Sequence, residues 1–343
     1  MHIRSQIITF CAVACLTSPA AAQTGDDFYK GRTVSLVIGY PPGGIFDTAS
    51  RLLIRHIPRH IEGAPTIVPK NMPGAGSLIA ANYLFNVAPK DGSEFGQIGG
   101  TVPFGVLWNR DGVKFDAMKF QWIGSIQKWD GVVLVRRDAT AKTFDEARSK
   151  EVTVGATGAG DVTAIYPAIL NALTGSKFKV VGGYQGSADL NIAIDRNEVS
   201  GRLGWCWDCV KLEKASWFAD KTVTALAQLT FRKHPDLLNV PNLDDLARTE
   251  EDRQIMRFVF GGQQMAVPFA FPPGVPMVRV SQLRNAFELT MKDPEFIAEA
   301  AKINVVIDPT SWSEMEKLIA DAYATPPTVI ERATKIIMGI GMK

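Results

Sequence analysis

The chain has 343 residues, of which 46% are hydrophobic and 21% are charged. Its 37 Lys and Arg residues nearly balance 35 Asp and Glu residues, so the formal net charge is +2 at pH 7. This is the composition of an ordinary globular protein, which excludes a disordered or collagen-like chain. The charge balance also excludes a strongly basic nucleic-acid binder, and the length predicts about two domains around a large core.

The N-terminal segment has the pattern of a secretory signal peptide. Arg4 supplies a positive region, residues 7–16 form an apolar run, and residues 20–22 offer an Ala-X-Ala cleavage site. The run is shorter than the roughly 18 residues of a membrane helix. We therefore expect cleavage after residue 22 and a periplasmic mature chain, away from the cytosolic pools of NAD, ATP and coenzyme A.

The rest of the chain alternates short apolar strands with helical patterns, which is typical of βαβ units. The predicted elements of the first half are a strand at 34–40, a helix at 45–57, a strand at 66–69, a helix at 78–87 and a strand at 95–101. Those of the second half are strands at 131–135 and 152–156, a helix to about 173, a strand at 178–181, a helix at 187–197, strands at 223–230 and 264–269, and a mostly helical segment from 276.

The strongest turn signals lie at three strand-to-helix junctions. These are GYPPGGIFD at 39–47, NMPGAGS at 71–77 and ATGAGD at 156–161. Glycine lets the backbone approach a ligand, and helix N-termini present N–H groups that suit a carboxylate or phosphate. Because ligands bind at the carboxyl ends of parallel strands, the loops predict a shared site between two lobes. The competing interpretation is that these glycines only punctuate turns.

The loops lack the motifs of nucleotide binding. Ile45 and Phe46 stand where a Walker A loop has Lys and Ser or Thr. The Gly-X-Gly pairs at 74–76 and 158–160 lack the third glycine of a dinucleotide fingerprint. We therefore predict no cofactor.

Catalytic and metal-binding patterns are also missing. The sequence has no Gly-X-Ser-X-Gly elbow. His56 and His60 have helical metal-pair spacing, but Pro58 interrupts the helix between them. We interpret both, together with His234 in a polar loop, as surface residues. The prediction is a protein without catalytic residues or a bound metal.

Two cysteines, Cys206 and Cys209, remain after the signal peptide, in the string WCWDC. An oxidising compartment favours a short disulfide between them. Free thiols are one alternative. A redox-active pair is another, because Cys-X-X-Cys thiols can have lowered pKa values.

Long segments resemble the extracytoplasmic solute receptors of the tripartite tricarboxylate transporter family, also called the Bug family. The resemblance lies in VIGYPPGGIFDTASR, KNMPGAGSLIAANYLFNVAPKDG, VGATGAGDVTA and PPGVP at 272–276, and it covers nearly all of the mature chain. It implies an α/β, two-lobed periplasmic binding protein of the Venus-flytrap type, each lobe a mainly parallel sheet flanked by helices. It further implies delivery of a small organic carboxylate to membrane permease subunits, without catalysis, by a protein that we expect to be monomeric and not to bind nucleic acid.

The resemblance also implies a division of the chain. The hinge strands would be 131–135 and 264–269. Lobe 1 would comprise residues 23–130 plus 270–343, and lobe 2 residues 131–269.

The family's ligand-binding loops map onto this sequence motif by motif. In the first lobe the implied ligand-binding residues are Tyr40, Pro41, Gly43, Gly44, Phe46, Asp47, Asn71, Ala75, Gly76 and Ser77. In the second lobe they are Thr157, Gly158, Gly160, Asp161, Thr163, Tyr184, Gly186 and Ser187. The resemblance implies binding mostly through backbone N–H groups and water, which fits the absence of Arg from the three loops.

Some residue roles stay open at this stage. Asp47 either stabilises its helix start or accepts a hydrogen bond from the solute. Asp161 would repel a carboxylate, so it either caps its helix or selects a solute with a donor group. Trp205 and Trp207 either line the pocket, with Trp205 as the ligand contact, or belong to the lobe core.

Three functions are compatible with these patterns. A transport receptor is favoured, for a tricarboxylate or for an aromatic or less charged acid. A periplasmic partner of a membrane sensor kinase is the alternative. A secreted hydrolase or redox enzyme is less favoured.

Overall fold

The structure is a computed structural model that describes residues 27–108, 112–158, 161–184 and 186–339. The predicted signal peptide, residues 1–22, and the predicted site residue Gly160 lie outside the described residues. Within the described part, no helix has the length and apolar character needed to cross a membrane.

The secondary structure alternates as the sequence indicates. The strands are β1 (Thr33–Ile38), β2 (Thr66–Asn71), β3 (Glu94–Gln97), β4 (Gln121–Ser125), β5 (Gly131–Arg136), β6 (Val152–Gly155), β7 (Phe178–Val181), β8 (Gly201–Cys206), β9 (Val223–Gln228), β10 (Pro268–Phe271) and β11 (Thr310–Ser311). The helices are α1 (Ile45–His56), α2 (Leu78–Asn86), α3 (Phe144–Ala147), α4 (Val162–Thr174), α5 (Ser187–Asp195), α6 (Trp207–Glu213), α7 (Ala215–Ala219), α8 (Leu243–Leu246), α9 (Glu250–Phe260), α10 (Met277–Met291), α11 (Pro294–Lys302), α12 (Trp312–Tyr323) and α13 (Pro327–Met338).

Two mixed sheets form the framework. The first has the strand order β11-β4-β10-β3-β1-β2, and the second has the order β7-β6-β8-β5-β9. β1 runs parallel to β2 and β3, and β6 runs parallel to β7 and β8. The predicted α/β fold class is confirmed, although the sheets are mixed rather than mainly parallel. The reason is that β4, β5 and β10, which flank the crossings between sheets, are antiparallel to their neighbours.

The packing of α1 on the first sheet fixes the start of this lobe. Leu36 and Ile38 of β1 are fully buried, together with Leu52 and Leu53 of α1 and Phe287 of α10. Each such side chain stabilises the fold by roughly 1.5–3 kcal/mol through its burial. The loop between β1 and α1 is therefore held between two rigid elements.

The chain crosses between the sheets at the carboxyl ends of the parallel strands. In the first sheet, Phe269 of β10 lies opposite Gln97, the last residue of β3. In the second sheet, β5 begins opposite Cys206, the last residue of β8. The two crossing segments, 126–130 and 261–267, run side by side and exchange backbone hydrogen bonds. The loops at both carboxyl edges consequently lie on the side of each sheet where the chain crosses to the other sheet.

Two features differ from the predicted division of the chain. β10 joins the first sheet from Pro268, two residues before the predicted boundary. The C-terminal helix α13, predicted in lobe 1, packs against α4 and α9 of the second lobe. Arg332 of α13 forms ion pairs with Glu251 and Asp252 of α9. A helical pattern predicts the helix but does not show which sheet it covers.

Candidate ligand-binding site

The first predicted loop, residues 39–47, carries a stacked aromatic pair. The Tyr40 ring lies on the Phe46 ring, with centroids 3.9 Å apart and an angle of 12° between the planes. Phe46 also contacts Trp129 of the first crossing segment, at 5.9 Å between centroids. These rings form an apolar cluster between the first loop and the first crossing segment. Trp129 is absent from the predicted site, although a tryptophan between two strands is a visible signal.

The carboxylate of Asp47 is engaged within the first lobe, and the residue is only 3% exposed. It accepts hydrogen bonds of 2.9 Å from the Gly43 N–H, from Arg51 Nε and from Asn71 Nδ2. Burial raises the pKa of Asp47, but these hydrogen bonds and the charge of Arg51 outweigh burial and hold the pKa below its usual range. Asp47 lies in the first turn of α1 and fixes the loop, while a direct contact with a solute stays a prediction.

The second predicted loop, residues 71–77, has an unusual backbone. Ala75 and Ser77 are in the left-handed region, with φ of 47° and 66°. Non-glycine residues there cost about 1–3 kcal/mol each and concentrate at functional sites. Ser77 is buried, and its Oγ accepts from the Gly99 N–H at 2.7 Å. Ser77 therefore joins the loops after β2 and β3, whereas Ala75 and Gly76 are exposed.

In the second lobe, Asp161 is the N-cap of α4. Its Oδ1 accepts from the Thr163 N–H at 2.9 Å and from the Thr163 hydroxyl at 2.6 Å. Thr163 Oγ1 also accepts from the Thr157 N–H at 3.1 Å. The capping alternative for Asp161 is confirmed. Thr163 is buried and supports the loop, while Asp161 is exposed beside it.

The turn at 184–187 leads into α5. Gly186 is the N-cap, and Ser187 is the exposed first residue of the helix. Burial, assisted by the charge of Glu198, raises the pKa of the Tyr184 hydroxyl, so this group remains a proton donor at neutral pH. Ser187 Oγ accepts from Nη2 of Arg202 at 3.2 Å. Arg202 lies on β8 and is absent from the predicted site.

Trp205 and Trp207 are buried in the core of the second lobe, at 6% and 8% exposed. Trp205 meets Trp217 edge to face, and Trp207 meets Phe218 in the same way. The core alternative therefore holds for both residues. A contact between the solute and Trp205 stays a prediction, with little of the ring exposed.

The disulfide between Cys206 and Cys209 is present and lies at the C-terminal end of β8. Both cysteines are buried, at 3% and 5% exposed. Gln127 of the first crossing segment directs its Nε2 toward Cys209 Sγ at 3.3 Å. This agrees with the structural disulfide favoured from the compartment.

The interpretation of His56 and His234 as surface residues is wrong. His56 is 5% exposed, and its Nε2 lies 2.6 Å from a carboxylate oxygen of Glu299. The partner follows by 243 residues, so no local pattern reveals it.

His234 is 8% exposed and lies beside Asp208 and Asp236, the one group within the described residues with metal-like clustering. Lys211 Nζ already contacts both carboxylates, at 3.0 and 2.5 Å. The ammonium group supplies the charge that a cation would bring. We therefore interpret the cluster as an ion-pair network.

A separate cavity of about 700 Å³ lies between β9, α9 and α12. Its lining includes Phe104, Phe231, Phe258 and Arg257. None of the predicted site residues borders it.

Comparison with known sequences supports the resemblance. No family model matches the chain. The UPF0065 protein in the gbd 5′ region of Cupriavidus necator is 33% identical over 138 residues, which is 39% of this chain and 39% of that protein. The UPF0065 protein in the tcbD-tcbE intergenic region of Pseudomonas sp. strain P51 is 25% identical over 262 residues, which is 71% of each chain.

Solved structures match nearly the whole fold. A TctC solute-binding protein from Polaromonas has a TM-score of 0.66 at 18% identity, over 89% of this chain and 99% of that chain. MatC from Rhodopseudomonas palustris with bound malate has a TM-score of 0.64 at 17% identity, over 89% and 99%. The periplasmic binding protein BugD has a TM-score of 0.64 at 17% identity, over 92% and 100%.

The protein therefore has the two-lobed fold of a periplasmic solute-binding protein. Its structural neighbours are TctC and Bug proteins, and its sequence relatives carry the UPF0065 name of the Bug family. The resemblance predicted from the loop motifs is confirmed.

Proposed function

We propose that this protein is a periplasmic receptor that captures a small carboxylate-containing solute between its lobes. It would deliver the solute to the membrane permease of a tripartite tricarboxylate-type secondary transporter. The fold supports the proposal, since structural neighbours are solute-binding proteins and one of them holds malate. The signal-like N-terminus supports a periplasmic location.

The observation that carries the proposal is the room around three loop glycines. At Gly44, Gly158 and Gly186, no atom of the described residues, apart from the adjoining residues of the chain, lies within 4 Å of the position that a Cβ would take. None of the three has a left-handed φ. Neither packing nor backbone conformation therefore requires glycine there. Close approach of a ligand to the backbone explains all three.

The chemistry of these loops suits an anion. Gly44 and Gly186 are the N-caps of α1 and α5, where backbone N–H groups and the positive end of the helix dipole are exposed. A solute that carries an anionic group at each of its two ends would contact the N-terminus of one helix in each lobe. Binding would then favour the closed arrangement of the lobes, because only that arrangement satisfies both ends.

A thermal-shift screen of the protein from residue 23 tests the binding function. The panel comprises di- and tricarboxylates, aromatic acids, amino acids and nicotinate. An acid at a hundred times its dissociation constant should stabilise the protein by about 2.7 kcal/mol, which moves the midpoint by a few degrees. If no acid shifts the midpoint and mass spectrometry finds no acid released from the denatured protein, the proposal is wrong.

Glycine replacements test whether the solute occupies the proposed space. Gly186→Val should leave the free energy of unfolding almost unchanged, because the added side chain meets open space, and should abolish the thermal shift. Ala301→Val is the control, since Ala301 is exposed on α11, away from the predicted loops and from both crossing segments. Equal retention of binding in both variants would contradict the placement of the solute.

A further inference from the structure

Arg202 is a buried cation whose hydrogen bonds are incomplete. It is 4% exposed, on the second residue of β8. Nη1 donates to Asn191 Oδ1 and Nη2 donates to Ser187 Oγ, each at 3.2 Å. Nε has no hydrogen-bond partner among the described residues. A buried donor in this state destabilises the protein, and more so when the group is charged.

The charge of Arg202 also lacks a paired acid. Among the described residues, the hydrogen-bond acceptors of the guanidinium are an amide and a hydroxyl oxygen, and no carboxylate forms an ion pair with it. Burial lowers the pKa of Arg202 to about 10, while Asp161 and Glu213 act against that effect from longer range. The group stays protonated at neutral pH. The Trp205 ring, 4.6 Å from the guanidinium carbon, provides a cation–π contact but no counter-charge.

The position of this cation is at the start of α5, a helix of 9 residues. Its contact with Ser187 sets it directly behind the first turn. Because Ser187 Oγ accepts from Arg202, its own proton is left to donate outward. The open space at Gly186 lies next to it. A cation, a hydroxyl donor and a helix N-terminus therefore converge on one point of the second lobe.

We propose that Arg202, Ser187 and the N-terminus of α5 form an anion subsite that binds one carboxylate of the solute. The inference rests on the proposed receptor function and specifies that the second lobe binds the charged group of the solute. Arg202 supplies the Nε donor and the counter-charge, while Trp205 and Asn191 position it. The subsite admits one carboxylate at this end, since the exposed Asp161 at the start of α4 would repel a second.

The test compares Arg202→Met with wild-type protein by isothermal titration, using malate, adipate and the acid with the largest shift in the thermal screen. Methionine keeps an unbranched apolar side chain and removes the guanidinium. We expect at least a tenfold loss of affinity for the acid and no loss of affinity for its neutral diamide. Ser187→Ala, a change at an exposed residue that leaves the fold intact, should weaken acid binding several-fold and keeps the test decisive if Arg202→Met does not fold.

Arg284→Met is the matched control. Arg284 is also buried, at 8% exposed, and lies 3.8 Å from the Trp312 ring, but its Nη2 donates to Glu316 at 2.7 Å. This variant should lose stability and keep its affinity for the acid.

The outcomes separate the subsite from the receptor function. Unchanged acid affinity in both Arg202→Met and Ser187→Ala would overturn the subsite while the receptor function stands. A wild-type protein that binds no acid in the screen and releases none on denaturation would overturn the receptor function and the subsite with it.

Discussion

The loops of both lobes lie at the carboxyl edges of their sheets, but the charged side chains beside these loops are paired in the first lobe and unpaired in the second. In the first lobe, Asp47 and Arg51 neutralise each other, and Asn71 joins both through hydrogen bonds of 2.9 Å. In the second lobe, Arg202 is buried without a paired acid, and Asp161 is exposed at a helix cap. At the first edge the charged groups are paired with each other. At the second edge, Arg202 Nε has no hydrogen-bond partner among the described residues.

In the proposed receptor, this difference would assign a separate task to each lobe. A closed network holds backbone N–H groups in place without selecting a charge, because its own charges cancel. A buried cation without a partner selects an anion, because the anion supplies the missing counter-charge. We therefore expect substitutions in the first lobe to act mainly on stability, and substitutions at Arg202 to act mainly on affinity.

The largest expected effect on stability is that of Asp47→Ala. It leaves the Gly43 N–H without its acceptor and removes the carboxylate partner of Arg51. The Asn71 amide loses one of its two acceptors and keeps the Tyr40 carbonyl. We expect a loss of about 3 kcal/mol in the free energy of unfolding, measured in urea at pH 7. Glu62→Ala, at an exposed position, should change stability by less than about 0.5 kcal/mol. A loss as small as that of the control would contradict the closed network.

The loss of stability in Asp47→Ala should depend on pH. The pKa of Asp47 is lowered in the folded protein, so its contribution is present above the unfolded pKa of about 3.9 and is lost as pH falls through the folded value. The stability difference between wild-type protein and Asp47→Ala should therefore shrink below pH 4. A difference that stays constant from pH 7 to pH 3 would indicate a packing effect instead.

A smaller effect is expected at Asp161. Asp161→Ala removes the cap of α4 and should cost about 1 kcal/mol. Asp161→Asn keeps a capping oxygen, so its stability should be nearly that of wild-type protein, and its affinity for an acid should rise several-fold because a like charge is removed. Weaker acid binding in Asp161→Asn would show that the carboxylate of Asp161 holds a donor group of the solute.

Much of the framework could be predicted from the sequence. Strands β1, β2, β3, β6 and β7 are short apolar runs that end in glycine-rich turns, so both the strands and the loops after them carry a local signal. The Asp47 and Arg51 pair has the spacing of one helical turn, which the sequence shows directly. The loops were therefore placed at the correct edges of their sheets.

The features that could not be predicted depend on contacts between distant segments. β8 has the sequence GRLGWC, in which a charge and two glycines obscure the strand pattern. Arg202 is recognisable only after Asn191 and Ser187 are placed beside it. The burial of His56 and the packing of α13 likewise depend on partners that a local pattern does not contain.

The most direct test of the account is small-angle X-ray scattering of the protein from residue 23, with and without the acid that gives the largest thermal shift. Binding between two lobes predicts a smaller radius of gyration with the acid bound, and Arg202→Met should need at least about ten times more acid than the wild-type protein to reach the same radius. An unchanged radius of gyration in the wild-type protein, at an acid concentration that saturates the thermal shift, would contradict closure around a carboxylate.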